Sequence, residues 1–424
     1  MNPEVASPEP ARPYDEKIFQ LIRADWTVIA AGVRDGSWIQ GCAYLRPGAH
    51  YLVFPLDRAA HGALQENLRP LGDAIALEPY RLGRQASDDP SFPVTTLDAL
   101  RAADRFTHIH YLRIDTVSAA LDVLLGAKRL LHHSRINLIE IAADPAGSEG
   151  LAPLALLLAH HDYTVMRLTG DEFKQLTQAE LAASRWTGHT LAVHSRLLTS
   201  FTQDDLEILD LPALLTKFGV ATRGIIQVGA HTAEELTTFL ELGAKQVLLV
   251  EANPKLIDKL RSVASTVPGV TVAHCAVTDA DGPVDLHVAN LDKASSILPL
   301  KLHQRLYPDV VESAVIPVPG ARLDGLMASL GLDHKDFNVL CLDIQGAELR
   351  ALHGATRTLE AIEAISVEIN FEELYEGCAQ VEDIDNFLGD QGFDRVATLT
   401  PYHSTWGDAL YVRRHFALDP RPLQ

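Results

Sequence analysis

The sequence predicts two tandem α/β domains, each a doubly wound, largely parallel sheet with helices on both faces. Three observations carry this. Short apolar runs alternate with helix-length amphipathic stretches along the chain, the pattern of strands joined by crossover helices. An ordered set of sequence blocks occurs twice, the signature of a duplicated unit. And a chain of 424 residues exceeds the usual size of one domain two- to threefold.

Taken in order, residues 1–14 are polar, acidic and proline-bearing, and read as a flexible tail rather than a signal or transit peptide. The first domain, 15–200, opens its sheet with Val28-Ile29-Ala30-Ala31-Gly32, and Gly48-Ala49 leads into a second strand at Tyr51–Phe54. The second domain, 201–424, repeats this with Ile225-Ile226-Gln227-Val228-Gly229, then Gly243-Ala244 and Gln246–Val250. Leu97–Leu100 parallels Leu323–Leu326. Leu112–Asp115, Gly126-Ala127 and Ile139–Ile141 parallel Leu340–Asp343, Gly354-Ala355 and Val367–Ile369, these three blocks at one offset of 228. Each half closes on a strand pair, Tyr163–Val165 with Thr190–Val193 and Phe393–Val396 with Ala409–Val412. The second copy carries extra residues between about Val284 and Ile316. The boundary falls near Leu197–Asp204, after which Asp204-Asp205-Leu206-Glu207 reads as an acid-rich helix start.

Composition narrows the function. Against 56 acidic residues stand 36 basic ones, a net charge of −20, which repels a phosphate backbone and makes nucleic acid a poor partner. The longest apolar run, Leu151–Ala159, falls far short of the ~18–20 residues a bilayer crossing needs, so no membrane span is expected. Cys42, Cys275, Cys341 and Cys378 are dispersed, which suggests a reduced, cytoplasmic compartment. The pairs His132-His133 and His160-His161 lack metal-site spacing, and no metal is expected.

Ligands of open parallel sheets bind beyond the carboxyl ends of the strands. There, Gly229 is followed by Ala230-His231-Thr232-Ala233 rather than by the further glycines a dinucleotide pyrophosphate requires. The loop suits a nucleoside without phosphates, and it disfavours a nicotinamide-dependent oxidoreductase. Glu251, at the end of the next strand before Ala252-Asn253-Pro254, stands where a carboxylate accepts both ribose hydroxyls. A plain strand-end turn is the alternative for this pair of features.

The run Val339–Ala355, VLCLDIQGAELRALHGA, resembles the signature of the FkbM-type S-adenosylmethionine-dependent methyltransferases, roughly K-I-D-V-E-G-A-E-x-x-x-L-x-G-A. IIQVGAH, VEANP, Ala276-Val277-Thr278-Asp279, Ser295-Ser296, VEINFEELYEG and ALYVRR are similar to that family in its order, over about Ala221–Arg414. The resemblance implies a Rossmann-like, seven-stranded methyltransferase sheet ending in an antiparallel hairpin. It also implies S-adenosyl-L-methionine as cofactor, and methylation of a hydroxyl on a small-molecule or carbohydrate-like acceptor. Carried over, Gly229, Ala230 and His231 would lie under the methionine and ribose, with Ala252 beside Glu251 at the ribose. Ala276 and Val277 would pack near the adenine. Asp343 would face the methionine amine or the acceptor, and Ser295 and Ser296 the acceptor.

A hydroxyl acceptor needs a proton acceptor within hydrogen-bond reach. Asp343 is the first candidate, with His231 and Glu368 behind it; Glu368 reads equally as a strand-end cap or pair. His287 reads as a surface hairpin residue beside an Asp281-Gly282 turn. The extra stretch Leu286–Val315, with a helix-like Leu300–Tyr307, would cover the acceptor pocket or form a solvated excursion. The chain departs from the family pattern at Cys341 (lysine), Gln345 (glutamate) and Gln227 (often an acid), changes that remove charge from the rim of the site. A non-catalytic scaffold or docking protein is the rival reading. The first half has Leu56 at the ribose position, Asp57 one place late, and Arg34 beside where a sulfonium would sit. It is expected to bind no cofactor and to serve packing, acceptor delivery or docking of a partner or second copy.

Overall fold

In a computed structural model of the protein, the described residues are 13–23, 26–142, 152–169, 172–181, 189–197, 209–400 and 403–417. Most of the expected tail and the expected helix start at Asp204–Glu207 lie outside them. The chain divides into two compact units, Met1–Asp204 and Asp205–Gln424.

The first unit is built on strands β1 (Thr27–Val33), β2 (His50–Pro55), β3 (Ile75–Leu77), β4 (Ile109–Ile114), β5 (Ile136–Ile141), β6 (Tyr163–Thr169), β7 (Glu172–Gln175) and β8 (Thr190–His194). They lie in the order β3-β2-β1-β4-β5-β8-β6-β7. The strands from β3 to β5 run parallel, and β8 enters antiparallel between β5 and β6. Residues of β4 and β5 are buried throughout, as a sheet covered on both faces requires. The short β7, hairpinned onto β6, is a strand that apolar patterning does not announce, because Glu172-Phe173-Lys174-Gln175 carries a single apolar residue.

The second unit holds β9 (Gly224–Val228), β10 (Gln246–Glu251), β11 (Val270–His274), β12 (Ala276–Val277), β13 (Gly282–Ala289), β14 (Glu312–Ala321), β15 (Val339–Leu342), β16 (Ala364–Asn370), β17 (Phe393–Leu399) and β18 (Trp406–Arg413). Seven of them form one sheet, β11-β10-β9-β15-β16-β18-β17, with the last two antiparallel to their neighbours. Ile226, Val228, Leu248, Val250, Leu340 and Leu342 fill one face of this sheet, and Ile225, Val247, Leu249 and Val339 the other. In both units the strand order reverses beside the first strand. That reversal opens a crevice at the carboxyl ends of β1 and β4, and of β9 and β15.

The structure revises two sequence expectations. The offset of 228 does not hold at the fifth strand of each sheet. Arg113 pairs with Glu140 across β4 and β5, whereas Cys341 pairs with Ser366 across β15 and β16. Glu140 therefore shares a row position with Ser366, two residues short of Glu368. In the same register β4 spans 6 residues against 4 in β15, and β5 pairs with it from Ile109 onward. Nor does Asp281-Gly282 close a tight hairpin: β12 and β13 both pair with β14, in the order β12-β14-β13. The hairpin is β13–β14, closed by a long excursion over residues 290–311 that contains the short helix Leu302–Leu306. His287 lies on this hairpin, its Nδ1 2.6 Å from Glu312.

Candidate functional site

A cavity of about 380 Å³ lies at the carboxyl ends of β9, β10 and β15 and reaches the excursion. Its first wall is the loop after β9. Gly229 has φ +88°, and a Cβ there would stand 1.9 Å from the Asp343 carbonyl oxygen, so only glycine lets β9 and β15 end this close together. His231 (φ +43°) and Ala233 (φ +59°) continue the loop in left-handed conformations that L side chains rarely adopt. The turn is held from below. The Glu251 carboxylate accepts the backbone N–H of His231 at 2.8 Å on one oxygen and that of Asn253 at 2.7 Å on the other. Each oxygen keeps a free lone pair, so the side chain can still accept a pair of hydroxyls. Ala252, Cys275, Ala276, Val277, Leu286 and Ile297 supply an apolar surface beside it.

The opposite wall is acidic. Gln345, at φ +58°, donates both amide hydrogens, to Asp343 at 2.6 Å and Glu368 at 2.8 Å, while its own oxygen accepts the Tyr375 hydroxyl at 2.7 Å. Tyr375 thereby fixes which way the amide faces. Burial pushes the Glu368 carboxyl well above its usual range, and the neighbouring Asp343, Glu348 and Asp408 push it further. Burial also raises Asp408 to about 7, with Asp343 and Glu235 adding to the effect. Glu348, which is 1% exposed, rises to about 7 for the same first reason, although the backbone N–H groups of Ile344 and Gly346 donate to it. Asp343 is raised by desolvation and by Glu235; it opens onto the cavity and is exposed there, so solvent moderates the effect. Lys293, from the excursion, reaches Glu234 at 2.6 Å on the rim. Cys341 is inert as a nucleophile, its thiol raised to about 12 by burial and then by Glu235.

Gly229, Ala230, His231, Glu251, Ala252, Ala276, Val277, Ser295, Ser296 and Asp343 all line this one cavity. Glu368 stands behind it, reached through Gln345. The hydroxyl of Ser296 is already engaged, donating to the Gln345 carbonyl and accepting from Leu298 N–H, and Ser295 Oγ accepts from Ala289 N–H. These serines anchor the excursion. Sequence reasoning missed Asp408, Glu348 and Ser366; an aspartate inside the apolar run Trp406–Val412 is the signal that singles out Asp408.

At the matching place in the first unit the crevice is filled. The Arg113 guanidinium bonds Glu140 at 2.7 Å and Asp115 at 2.6 Å, and lies 4.7 Å above the Trp38 ring, which stacks on Tyr111. Tyr111 and His189 also bond Glu140. Burial would raise the Glu140 carboxyl, but Arg113, His189 and Tyr111 together hold it below its usual range. Arg34, the cation expected there, is exposed on the loop after β1. Asp57 turns out to be a helix cap, accepting Ala60 N–H at 2.8 Å. Among the described residues no three His, Cys, Asp or Glu could hold a metal ion, and no helix is long and apolar enough to cross a membrane.

The second unit thus joins a doubly wound sheet ending in an antiparallel hairpin to a glycine turn and a strand-end glutamate beside an apolar slot. Residues 227–395 match the family model of the methyltransferase FkbM domain. The C-terminal unit therefore carries a methyltransferase domain of the FkbM family, and S-adenosylmethionine is the cofactor of that class. The chain is 29% identical over 161 residues to the 2-O-methyltransferase NoeI of Sinorhizobium fredii (strain NBRC 101917 / NGR234). That match covers 36% of this chain and 65% of the relative's length. Among solved structures, the chain matches magnesium protoporphyrin IX methyltransferase (ChlM) from Synechocystis PCC 6803 with bound SAM at 13% identity and a TM-score of 0.27, over 48% of this chain and 76% of that one. The bifunctional kinase-methyltransferase WbdD matches at 11% identity and a TM-score of 0.30, over 51% and 41%.

Proposed function

We propose that the protein transfers the methyl group of S-adenosylmethionine to a hydroxyl of a small-molecule or carbohydrate-like acceptor. In this reading residues 201–424 are the working domain. Residues 15–200 are a degenerate copy without cofactor, kept for packing or for docking a partner. The observation that carries the reading is Glu251, held by two backbone amides on the wall of a cavity large enough for a ligand.

When bound, the cofactor supplies a methyl already activated on a sulfonium, so much of the rate comes from alignment. Gly229, Ala230 and His231 would run under it, Glu251 and Ala252 hold the ribose, and Ala276 and Val277 flank the base. Asp343 takes the proton that the acceptor hydroxyl loses. It suits that task because it opens onto the cavity and Gln345 orients it with a neutral donor. Glu368, pushed well above its usual range by burial, stands behind the cavity and serves as a partner to the Gln345 amide rather than as the base. His231 lines the cavity from a left-handed turn, with its Nδ1 3.7 Å from Glu234. The name of the S. fredii relative supports a hydroxyl acceptor. Four free cysteines suit a reduced, cytoplasmic setting.

Isothermal titration of the full chain with S-adenosylmethionine tests the reading. We expect one site per chain, lost in Glu251→Ala. A wild-type chain that takes up no cofactor would sink it.

A further inference from the structure

We propose that the methyl acceptor carries an ammonium group, which docks in the corner of the cavity bounded by Gln227, Glu235, Asp343 and Asp408. The inference rests on the methyltransferase reading above and adds the acceptor's chemical class to it.

Gln227 is the first observation. It is 7% exposed and lies on the cavity wall; its amide nitrogen donates to Glu235 at 2.6 Å, and its amide oxygen has no hydrogen-bond partner among the described residues. A buried carbonyl oxygen without a donor is unfavourable unless a ligand supplies one. The donor has room to enter, because the row Gln227–Cys341–Ser366 crosses the cavity floor with two small side chains.

Charge is the second. Glu235, Asp343 and Asp408 border this corner, and the one lysine or arginine among the described lining residues, Lys293, is engaged with Glu234. Within the bound cofactor, the α-ammonium and α-carboxylate cancel and the sulfonium leaves a single positive charge. That leaves the corner short of positive charge. An alkylammonium has three donors and no acceptor, and so matches one amide oxygen flanked by carboxylates. Held this way it stays protonated and has no lone pair, which directs methylation to a neighbouring hydroxyl rather than to the nitrogen. Asp408, raised to about 7, adds a consequence: entry of a cation expels the proton that this carboxyl retains near neutral pH, and Asp343, also raised, shifts in the same direction. The other charged groups facing this corner are Glu234, Lys293 and the buried Glu368.

The test uses the full chain saturated with S-adenosylhomocysteine, titrated calorimetrically with methyl glucosaminide and, separately, with methyl glucoside. We expect the amino sugar to bind at least ~10-fold more tightly, with proton release visible as a dependence of the heat on the buffer's ionisation enthalpy. In Asp408→Asn, and in Gln227→Leu as a second variant that keeps the volume, the preference should shrink to within about twofold, while the Asp408→Asn affinity for S-adenosylmethionine stays within about twofold of wild type. Equal affinity for the two sugars, or no binding of either, would overturn the inference. So would Asp408→Asn weakening S-adenosylmethionine as much as the amino sugar, which would assign the corner to the cofactor's own ammonium. In both of those cases cofactor binding by the wild type persists, and the methyltransferase reading stands. Failure of the wild type to bind cofactor at all would remove that reading, and this inference with it.

Discussion

Two crevices occupy the same place in two sheets of like strand order, and they are built in opposite ways. In the first unit the row Ala30–Arg113–Glu140 crosses the crevice, and Arg113 neutralises both Asp115 and Glu140 from within the protein. In the second the row is Gln227–Cys341–Ser366, and the acids are bridged by the neutral amide of Gln345 arriving from the loop. A guanidinium satisfies carboxylates and cancels their charge. An amide satisfies them and brings no countercharge. The first crevice is therefore self-sufficient, whereas in the second Gln345 supplies no charge to oppose Asp343 and Glu368.

The largest effect follows from the self-sufficient side. Glu140 is fully buried, so Arg113→Met strands a charge in the core. The expected destabilisation of the first unit is about 3–5 kcal/mol, and adding Glu140→Leu should restore much of it. Cys341→Ala, at the matching position of the second unit, should change stability by about 1 kcal/mol or less. Peptide-resolved hydrogen exchange on the intact chain reads the two units separately. Equal effects in both would show that Arg113 is no more than a surface-like pair.

Importing the first floor into the second comes next. Cys341→Arg places a guanidinium beside Asp343 as Arg113 stands beside Asp115. We expect the affinity for methyl glucosaminide, measured on the chain saturated with S-adenosylhomocysteine, to fall by at least ~100-fold, or about 2.7 kcal/mol, with circular dichroism unchanged. Undiminished binding would break the comparison, because it would mean that the acids' charge has no part in holding a cation.

Much of this architecture was legible in the chain itself. Apolar runs ending in Gly32 and Gly229 mark the first strand of each sheet, because a buried parallel strand needs continuous apolar residues and its tight exit needs glycine. Glu251, Asp343 and the loop Gly229–His231 stand out by position at strand ends, and the structure gathers them at one cavity. The two-residue difference between Glu140 and Glu368 was invisible, since register depends on where neighbouring strands begin to pair and not on local pattern. Asp408 was hidden for a related reason: it approaches the site from an antiparallel strand 65 residues after Asp343, and only sheet order brings the two together. The Arg113 network was equally silent, because a lone arginine in a repeat block says nothing of its partners.

Opposite charge handling predicts opposite responses to pH. Glu348 has a folded-state value near 7 against an ordinary 4.5, so the folded unit holds a proton that the unfolded chain releases. Its stabilising contribution is full below about pH 4.5 and is lost as pH rises toward 7, by at most about 3 kcal/mol. Glu140 is held below its ordinary range. Its contribution is present above about pH 4.5 and is lost as pH falls through its folded value. Exchange rates corrected for intrinsic pH dependence should show core protection of the second unit dropping from pH 5 to 8, and the Glu140 region losing protection only on acidification. Parallel pH profiles in the two units would contradict the contrast.

The smallest effect concerns Lys293, the rim counterpart of the buried Arg113. Its ammonium meets Glu234 at 2.6 Å, with the two side chains 57% and 53% exposed. Such a pair is largely screened, so Lys293→Met should change stability by less than about 0.5 kcal/mol. Binding decides what the pair is for. If it acts as a latch that ties the excursion to the loop after β9, its loss should weaken S-adenosylmethionine and speed its release. If charge governs instead, removing a cation from the rim of an acidic cavity should tighten a ligand of net charge +1, by about twofold at low ionic strength. We expect the second outcome, with the gain fading as salt shortens the reach of the rim charge. Affinity that falls in Lys293→Met, at every salt concentration, would instead place the excursion among the elements that close the site.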